Sequence, residues 1–209
     1  MAATLFTNQI PSSLDANSVE GQPGVTLGTV WTSDHEGVVR GVRFYLGNRH
    51  YDTVVLTGGI FDWDSGTLLA QQNYTVTVAD QIGFVTIPLT AANQVLVQRN
   101  KRYIAAVWYP CDSSPDGKSH YTSTGNVFIN GPIDNPPLHA LQEDTILDRR
   151  NGLYNYGASI AYPNNHFNSS CYFIDVSFDY VSRMPVLNQT SGKYEQKVIK
   201  RRQSGQWLY

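Results

Sequence analysis

The sequence has little charge. Charged residues make up only 15% of its 209 residues, against roughly 25% in an average globular domain. Its 15 Lys and Arg residues nearly balance its 17 Asp and Glu residues, so the formal net charge is -2. This composition excludes a disordered acidic or basic chain and a coiled coil, and it provides no overall field that would attract nucleic acid or an anionic membrane. We therefore expect neither of those partners.

Cysteines and long apolar runs are also scarce. The two cysteines, Cys111 and Cys171, are too few for the disulfide framework of a small secreted scaffold. Two ordinary thiols are favoured over a pair, and either reading leaves the cellular compartment open. No run approaches the roughly 20 apolar residues of a membrane span. Residues 1–8 have neither a basic nor an apolar leader region, so we expect no classical signal peptide.

Catalytic motifs are missing as well. The sequence contains no nucleophile elbow, no phosphate-binding glycine loop and no zinc-binding His-Glu-x-x-His helix. Asp62 and Asp64 are close in sequence, and we interpret them as turn residues that cap backbone amides rather than as calcium ligands. The five histidines are isolated, and we expect loop or surface positions for them: His35, His50, His120, His139 and His166. We therefore predict no enzymatic activity, no cofactor and no metal site.

Aromatic and turn-forming residues are abundant. The 13 Tyr, 8 Phe and 4 Trp residues stand beside 17 Gly and 10 Pro, which is typical of an all-β chain. Short β-forming runs separated by turns predict strands over residues 25–31, 38–46, 53–61, 67–78, 84–89, 95–97, 103–109 and 171–180. Gly58 and Gly59 interrupt one of these runs, which predicts a bulge or a close backbone approach. The order of elements predicts a β-sandwich or jelly roll.

The run at residues 171–180 alternates most regularly. Its odd-numbered residues Asp175, Ser177 and Asp179 share one face, and its even-numbered residues, all aliphatic or aromatic, share the other. This pattern predicts a half-buried antiparallel strand. The predicted core comprises Tyr172, Ile174, Val176, Phe178 and Tyr180, together with Val42, Phe44 and Leu46. Residues 138–147 are the one place where a short helix is expected.

Residues 110–168 are rich in turns, and long loops in a compact domain are usually functional. Aromatic rings in these loops lie beside Asn and Asp residues, a combination suited to flat polar ligands such as sugars. The candidate glycan-binding residues are Trp63, Trp108, Tyr109, Tyr121, Tyr154 and Tyr156. The alternative is that the same rings close the end of the sandwich over its core.

The composition changes after residue 180. We predict a sandwich domain over residues 1–180 and a second segment over 181–209, made of a linker at 181–191 and a basic docking strand. Terminal aromatic residues are good interface anchors, and cationic residues speed docking to an acidic surface. The candidate docking residues are Lys197, Lys200, Arg201, Arg202, Trp207 and Tyr209. The alternative is a solvated basic tail.

Several segments resemble a bacterial family known only as a domain of unknown function. The similar segments are residues 5–6, 25–28, 37–45 with an Arg-Phe-Tyr strand, 66–70, 151–157 with an Asn-Gly-x-Tyr-x-Tyr-Gly loop, and 172–178. The resemblance covers roughly residues 5–180, and it departs from the family at 61–64, where Trp63 is displaced. It implies a jelly-roll sandwich similar to carbohydrate-binding modules, and it supplies no catalytic residue.

The resemblance also implies an extracellular setting, because the family occurs in bacterial surface proteins beside carbohydrate-active or adhesive modules. Met1 lies a few residues before the resemblance begins, and the last residues are similar to the ends of small phage tail or capsid proteins. We therefore expect a non-enzymatic structural or adhesion protein of a bacteriophage virion that binds other virion proteins and host-surface glycans, in an assembly where homo-oligomers are common. The alternative is an extracellular carbohydrate-binding module of a secreted bacterial protein.

Overall fold

The computed structural model describes residues 2–48, 53–77, 80–111, 116–144 and 150–180, together with the backbone of 183–188, 193–198, 200–203 and 206–208. The strands of the first 180 residues are β1 (Ser13–Asn17), β2 (Gly24–Ser33), β3 (Gly37–Leu46), β4 (Val55–Asp62), β5 (Leu68–Thr75), β6 (Gly83–Pro88), β7 (Val95–Val97), β8 (Tyr103–Pro110), β9 (His120–Ser123), β10 (Ile133–Asn135), β11 (Leu138–Ala140), β12 (Leu153–Tyr156), β13 (Asn165–His166) and β14 (Ile174–Tyr180). The helical elements described are a 3-10 turn at Ala91–Asn93 and α1 at Val127–Asn130.

Two antiparallel sheets form the sandwich. The larger sheet has the order β10-β11-β2-β8-β4-β5, and β12 pairs with β2 and with β13. The smaller sheet has the order β14-β3-β6, and β7 also pairs with β3. A third, two-stranded sheet joins β1 to β9. The predicted all-β sandwich is confirmed, and the eight predicted strands lie close to β2–β8 and β14, whereas β1 and β9–β13 were not predicted.

Alternate residues of the two sheets meet in a common core. In β3 and β14 the side chains of Val42, Phe44, Val176 and Phe178 are completely buried. Burying each large apolar side chain contributes roughly 1.5–3 kcal/mol. Seven of the eight predicted core residues are buried. The exception is Tyr180, for which the prediction is wrong.

Tyr180 is 43% exposed, and it is the last residue of β14. Its backbone lies opposite Gly37, the first residue of β3. The ring stacks on His35 at 5.2 Å, and on Phe178 at 6.3 Å. The alternation of the sequence continues to the last residue of the strand, but burial of the alternate side chains does not.

The second face of β14 is not exposed as predicted at Asp175. Its carboxylate is fully buried, and it accepts backbone hydrogen bonds from Leu5 (2.8 Å) and Phe6 (3.2 Å). Arg43 donates to the same carboxylate at 2.6 Å. Burial raises the pKa of Asp175 to about 6, against the lowering effect of Arg43 and the amides, so the carboxylate is ionised at neutral pH. The N-terminal segment thus covers this face.

Loops cover the outer face of the larger sheet. A small second cluster there includes Val30, Phe61 and Ile104, and Ile160 and Tyr162 pack against it. The predicted close approach at Gly58 and Gly59 is confirmed on both faces of β4. A Cβ on Gly59 would lie 2.6 Å from Ile160 Cδ1, and one on Gly58 would lie 3.1 Å from Val42 Cβ.

The expected helix at 138–147 is wrong where the chain is described. Residues 138–140 form β11, which pairs with β2. Leu138 and Ala140 are buried while His139 is partly exposed, so burial there follows the period of a strand. Residues 145–149 lie outside the described residues.

The C-terminal segment contains two backbone ribbons. The first pairs β15 (Arg183–Asn188) with β16 (Lys193–Val198), and the second pairs β17 (Lys200–Gln203) with β18 (Gln206–Leu208). Part of the predicted linker is therefore a strand. Within the described ranges, neither ribbon pairs with a strand of the sandwich. No helix in those ranges is long and apolar enough to cross a membrane.

Candidate ligand-binding site

The six candidate glycan-binding residues divide between the two sides of the larger sheet, and two of them, Trp63 and Tyr121, lie outside its strands. Directly paired residues of an antiparallel sheet share a face. Tyr109 and Tyr156 both lie opposite Val25, which belongs to the core face. Trp108, one residue away from Tyr109, lies opposite Thr26 on the outer face. The candidates therefore do not form one site.

Five tyrosines converge on the core face and form a tyrosine cluster: Tyr109, Tyr121, Tyr154, Tyr156 and Tyr172. The rings of Tyr109 and Tyr121 are 6.1 Å apart, and those of Tyr121 and Tyr172 are 5.7 Å apart. Tyr154 and Tyr156 form an edge-to-face pair at 5.4 Å. These separations are typical of favourable aromatic pairs. The cluster gathers side chains from β8, β9, β12 and the segment before β14.

Two residues before β12 set the position of Tyr154 and Tyr156. The side-chain amide of Asn151 accepts a hydrogen bond from Val30 N (2.8 Å) and donates to Val30 O (3.0 Å). It thereby occupies the gap on β2 between the partners β11 and β12. Gly152 has a φ of +68°, and a Cβ on it would lie 1.8 Å from Ser170 O. This requirement explains the Asn-Gly start of the loop motif.

Burial in the cluster is graded. Tyr109 and Tyr172 are buried, whereas Tyr121, Tyr154 and Tyr156 are only partly buried. Burial, with a smaller effect of the neighbouring tyrosines, raises the pKa of Tyr121 to about 12. Burial also raises the pKa of Tyr109. The hydroxyls of Tyr109 and Tyr121 therefore stay neutral at physiological pH and can both donate and accept hydrogen bonds.

The cluster's hydroxyls differ in their partners. Tyr121 donates to Asn17 O at 3.0 Å, and Tyr156 accepts from Val19 N at a long 3.5 Å. Among the residues that the structure describes, the buried hydroxyl of Tyr109 has no hydrogen-bond partner. The surface of the cluster thus combines aromatic faces, neutral hydroxyls and backbone groups of the segment after β1. That combination suits an uncharged polar ligand.

Trp63 and Trp108 are structural elements of the outer face. The Arg102 guanidinium lies 5.1 Å from the Trp63 ring centroid, and Tyr162 donates to Trp63 O at 3.0 Å. Trp108 donates through Nε1 to Gly157 O at 2.9 Å. Both rings are partly buried and hold covering loops against the sheet.

Asp62 and Asp64 form the turn that the sequence predicts. Asp62 accepts hydrogen bonds from the amides of Asp64 and Ser65, both at 3.0 Å. Lys101 lies 2.5 Å from Asp62 and Arg102 lies 2.9 Å from Asp64. The hydrogen bond to Lys101, followed by that from Ser65, holds the pKa of Asp62 below its usual range. In the part of the chain that the structure describes, no three His, Cys, Asp or Glu residues are grouped to hold a metal ion.

Two histidines depart from the expected loop or surface positions. His120 lies in β9 with its side chain only 3% exposed, between Asp15 at 2.7 Å and Asp116 at 3.1 Å. His139 lies in β11, between two aspartates on other strands or turns. No local pattern predicts these contacts, because Asp15 is 105 residues from His120. His50 lies outside the described residues.

The two cysteines are free thiols, as favoured. Cys171 is buried, and this burial raises its pKa to about 12. A thiol that stays protonated at neutral pH is a poor nucleophile and a poor metal ligand.

The candidate docking residues lie in the two C-terminal ribbons. Lys197 is in β16, and Trp207 is in β18. The run Lys200–Gln203, which holds the other three cationic candidates, is β17. Tyr209 lies outside the described residues.

Comparison with known proteins gives a family and no closer relative. Residues 11–174 match the family described as a domain of unknown function, DUF4082. No curated protein matches the chain. Since the match covers most of the 209 residues, the chain belongs to the DUF4082 family.

Proposed function

We propose that this member of the DUF4082 family is a non-enzymatic adhesion protein that binds an uncharged carbohydrate on the tyrosine cluster. The observation that carries the proposal is the convergence of Tyr121, Tyr154 and Tyr156, three partly buried rings from two distant strands. Their partial exposure leaves ring surface available to a ligand, while the buried rings of Tyr109 and Tyr172 pack against Tyr121.

The chemistry of a sugar fits this surface. The apolar C–H face of a pyranose packs on aromatic rings, and its hydroxyls exchange hydrogen bonds with neutral phenols and backbone groups. The 3.5 Å bond between Val19 N and Tyr156 is weak, so a ligand hydroxyl can replace it at small cost. A charged ligand has no counter-charge among the five tyrosines, which favours a neutral one.

A binding role is favoured over a glycosidase role because the paired carboxylates are already engaged. Glycosidases need two carboxylates free to protonate and to attack the glycosidic bond. Asp62 and Asp64 are instead held by Lys101, Arg102 and turn amides. A glycosidase would release oligosaccharide from cell-wall polysaccharide, and a binding protein would not.

The test is a glycan array with the full chain, followed by titration of the best sugar against Tyr154→Ala and Tyr156→Ala. We expect each variant to lose about tenfold or more in affinity, because stacking of one ring contributes about 0.5–1.5 kcal/mol beyond the area it buries. Phe167→Ala is the matched control, since Phe167 is an aromatic residue that is 59% exposed outside the cluster. Absence of binding to any glycan, or equal binding by all variants, would overturn the proposal.

The setting that we propose is a bacteriophage virion, in which the C-terminal segment attaches the sandwich to other virion proteins, further copies of this chain included. The support is the basic and aromatic composition of residues 193–209, together with the ribbons that follow the sandwich. Mass spectrometry of purified particles should detect the chain. Its recovery in the culture medium of uninfected bacteria would instead favour the extracellular module of a secreted protein.

A further inference from the structure

The two parts of the chain carry opposite charge. Of the 15 Lys and Arg residues, six lie in residues 181–209, whereas only one of the 17 Asp and Glu residues does. The formal charge is therefore +5 for the C-terminal segment and -7 for residues 1–180. The balanced total of -2 hides this separation.

The positive charges of the sandwich are largely neutralised by its own carboxylates. The ion pairs are Arg40–Asp179, Arg43–Asp175, Lys101–Asp62, Arg102–Asp64 and Arg150–Glu143. Further carboxylates are shared with histidines rather than with Lys or Arg. Asp34 and Asp134, with side chains 46% and 50% exposed, share His139. The surface of the sandwich is therefore acidic.

The C-terminal segment has free backbone edges. Each of its two ribbons has only two strands, and within the described ranges the strands pair only with each other. An isolated two-stranded ribbon is marginally stable in water and is stabilised by packing on another surface. Within the described ranges the ribbons form no strand pairing with the chain's own sandwich. Charge complementarity identifies an acidic protein surface as the one that fits.

We propose that the basic C-terminal segment of one copy docks on the acidic sandwich of a second copy. Because the charges are separated within one chain, every copy has a basic segment that can dock, the donor, and an acidic sandwich that can receive it, the acceptor. Because donor and acceptor are different surfaces, the contact is head-to-tail, and it generates either a ring, of which a reciprocal dimer is the smallest, or an open filament. Opposite charge also accelerates the encounter of the copies at low salt.

The test measures the mass of the full chain by analytical ultracentrifugation at about 50 and 500 mM NaCl. We expect assemblies that grow with protein concentration at low salt and dissociate at high salt, because the Debye length falls from above 10 Å to below 8 Å. Lys200→Glu/Arg201→Glu/Arg202→Glu should be monomeric under both conditions. The milder Lys200→Gln/Arg201→Gln/Arg202→Gln should associate less than the wild-type chain, and it covers the case in which charge reversal impairs folding.

A mixing experiment separates the head-to-tail contact from its alternatives. The charge-reversed variant keeps its acidic sandwich but lacks a basic donor, so it should cap growing assemblies and lower the mean mass of wild-type protein when added in excess. Association of the variant equal to that of the wild type would overturn the proposal. So would a wild-type chain that is monomeric at about 100 μM and low salt, which would indicate that the segment folds on its own sandwich or docks on a different acidic protein.

Discussion

The interior of the sandwich and its outer surfaces are held together by different means. Between the sheets, apolar side chains such as Phe44 and Phe178 are buried by strand alternation alone. On the outside, single polar side chains attach covering segments: Asp175 binds the N-terminal segment and Asn151 joins its loop to β2. The interior depends on a repeating pattern, whereas each outer attachment depends on one residue.

This difference governs what a substitution should do. An apolar interior loses stability in proportion to the contacts removed, and it is intolerant of charge. A buried polar attachment fails when one partner is removed, because the other partner is left desolvated and unpaired. Comparing both kinds of site on the same strand, β14, gives the most direct test.

The largest effect is expected for Phe178→Asp in the interior. Phe178 is completely buried and packs edge-on against Trp31 at 6.1 Å. Placing a carboxylate there combines a lost aromatic side chain with an unpaired buried charge, and together these cost well above 4 kcal/mol. We expect the sandwich to be unfolded, as measured by circular dichroism at room temperature.

Tyr180→Asp is the matched control, on the same strand but 43% exposed. It should remain folded, with a loss of stability of about 1 kcal/mol or less. A folded Phe178→Asp variant that melts near the wild type would mean that the interior is not held by this face of β14.

The next largest effect is expected for Asp175→Ala on the opposite face of the same strand. It removes the acceptor for the amides of Leu5 and Phe6, and it leaves Arg43 unpaired at 15% exposure. Breaking such a buried pair costs about 3–5 kcal/mol. Urea denaturation measures the loss. Asp179→Ala, which breaks the half-exposed pair with Arg40, should cost about 1 kcal/mol or less. Equal losses in the two variants would contradict the attachment role of Asp175.

The sequence predicted the interior well and the attachments poorly, for a physical reason. Alternation with a period of two is a local property, so the buried faces of β3 and β14 could be identified without the fold. Asp175 looked like a solvent-facing residue because its partner Leu5 is 170 residues away. No local pattern encodes such a contact.

The candidate site shows the same division. Adjacent strand residues point to opposite faces, so the separation of Trp108 from Tyr109 was already encoded in the predicted strand. Tyr154 and Tyr156, two residues apart, share a face of β12 for the same reason, although residues 110–168 were predicted to be turns and loops. The meeting of these residues with Tyr121 could not be predicted, since it depends on the register between strands that are far apart in sequence.

A smaller effect, of opposite sign, is expected for Tyr109→Phe in the interior. The Tyr109 hydroxyl is buried and has no hydrogen-bond partner in the described part of the chain, and an unsatisfied buried polar group costs about 1–3 kcal/mol. Its removal should therefore raise the free energy of unfolding by about 1 kcal/mol. Tyr121→Phe removes a hydroxyl that donates to Asn17 O, and this variant should lower the free energy of unfolding by about 0.5–1.5 kcal/mol. Thermal melts of both variants check the signs, and destabilisation by Tyr109→Phe would show that its hydroxyl has a stabilising partner.

The smallest effect is expected at an outer attachment that responds to pH. His139 joins Asp134 (2.7 Å) to Asp34 (2.9 Å), and thereby links β10 and β11 to the segment after β2. Partial burial alone would lower the pKa of His139, but hydrogen bonds to the two aspartates outweigh it, so the pKa is raised above 6.5. A raised histidine pKa stabilises the folded state fully below pH 6.5, and this contribution disappears as the pH rises through the folded-state pKa. The contribution is about 1 kcal/mol or less, because both carboxylates are half exposed to solvent.

We expect the wild type to be more stable than His139→Gln at pH 6, and the difference to shrink steadily up to pH 8.5 in urea titrations. A difference that does not change over this range would show that the two aspartates do not favour the charged imidazole, and that His139 is held by its neutral hydrogen bonds alone.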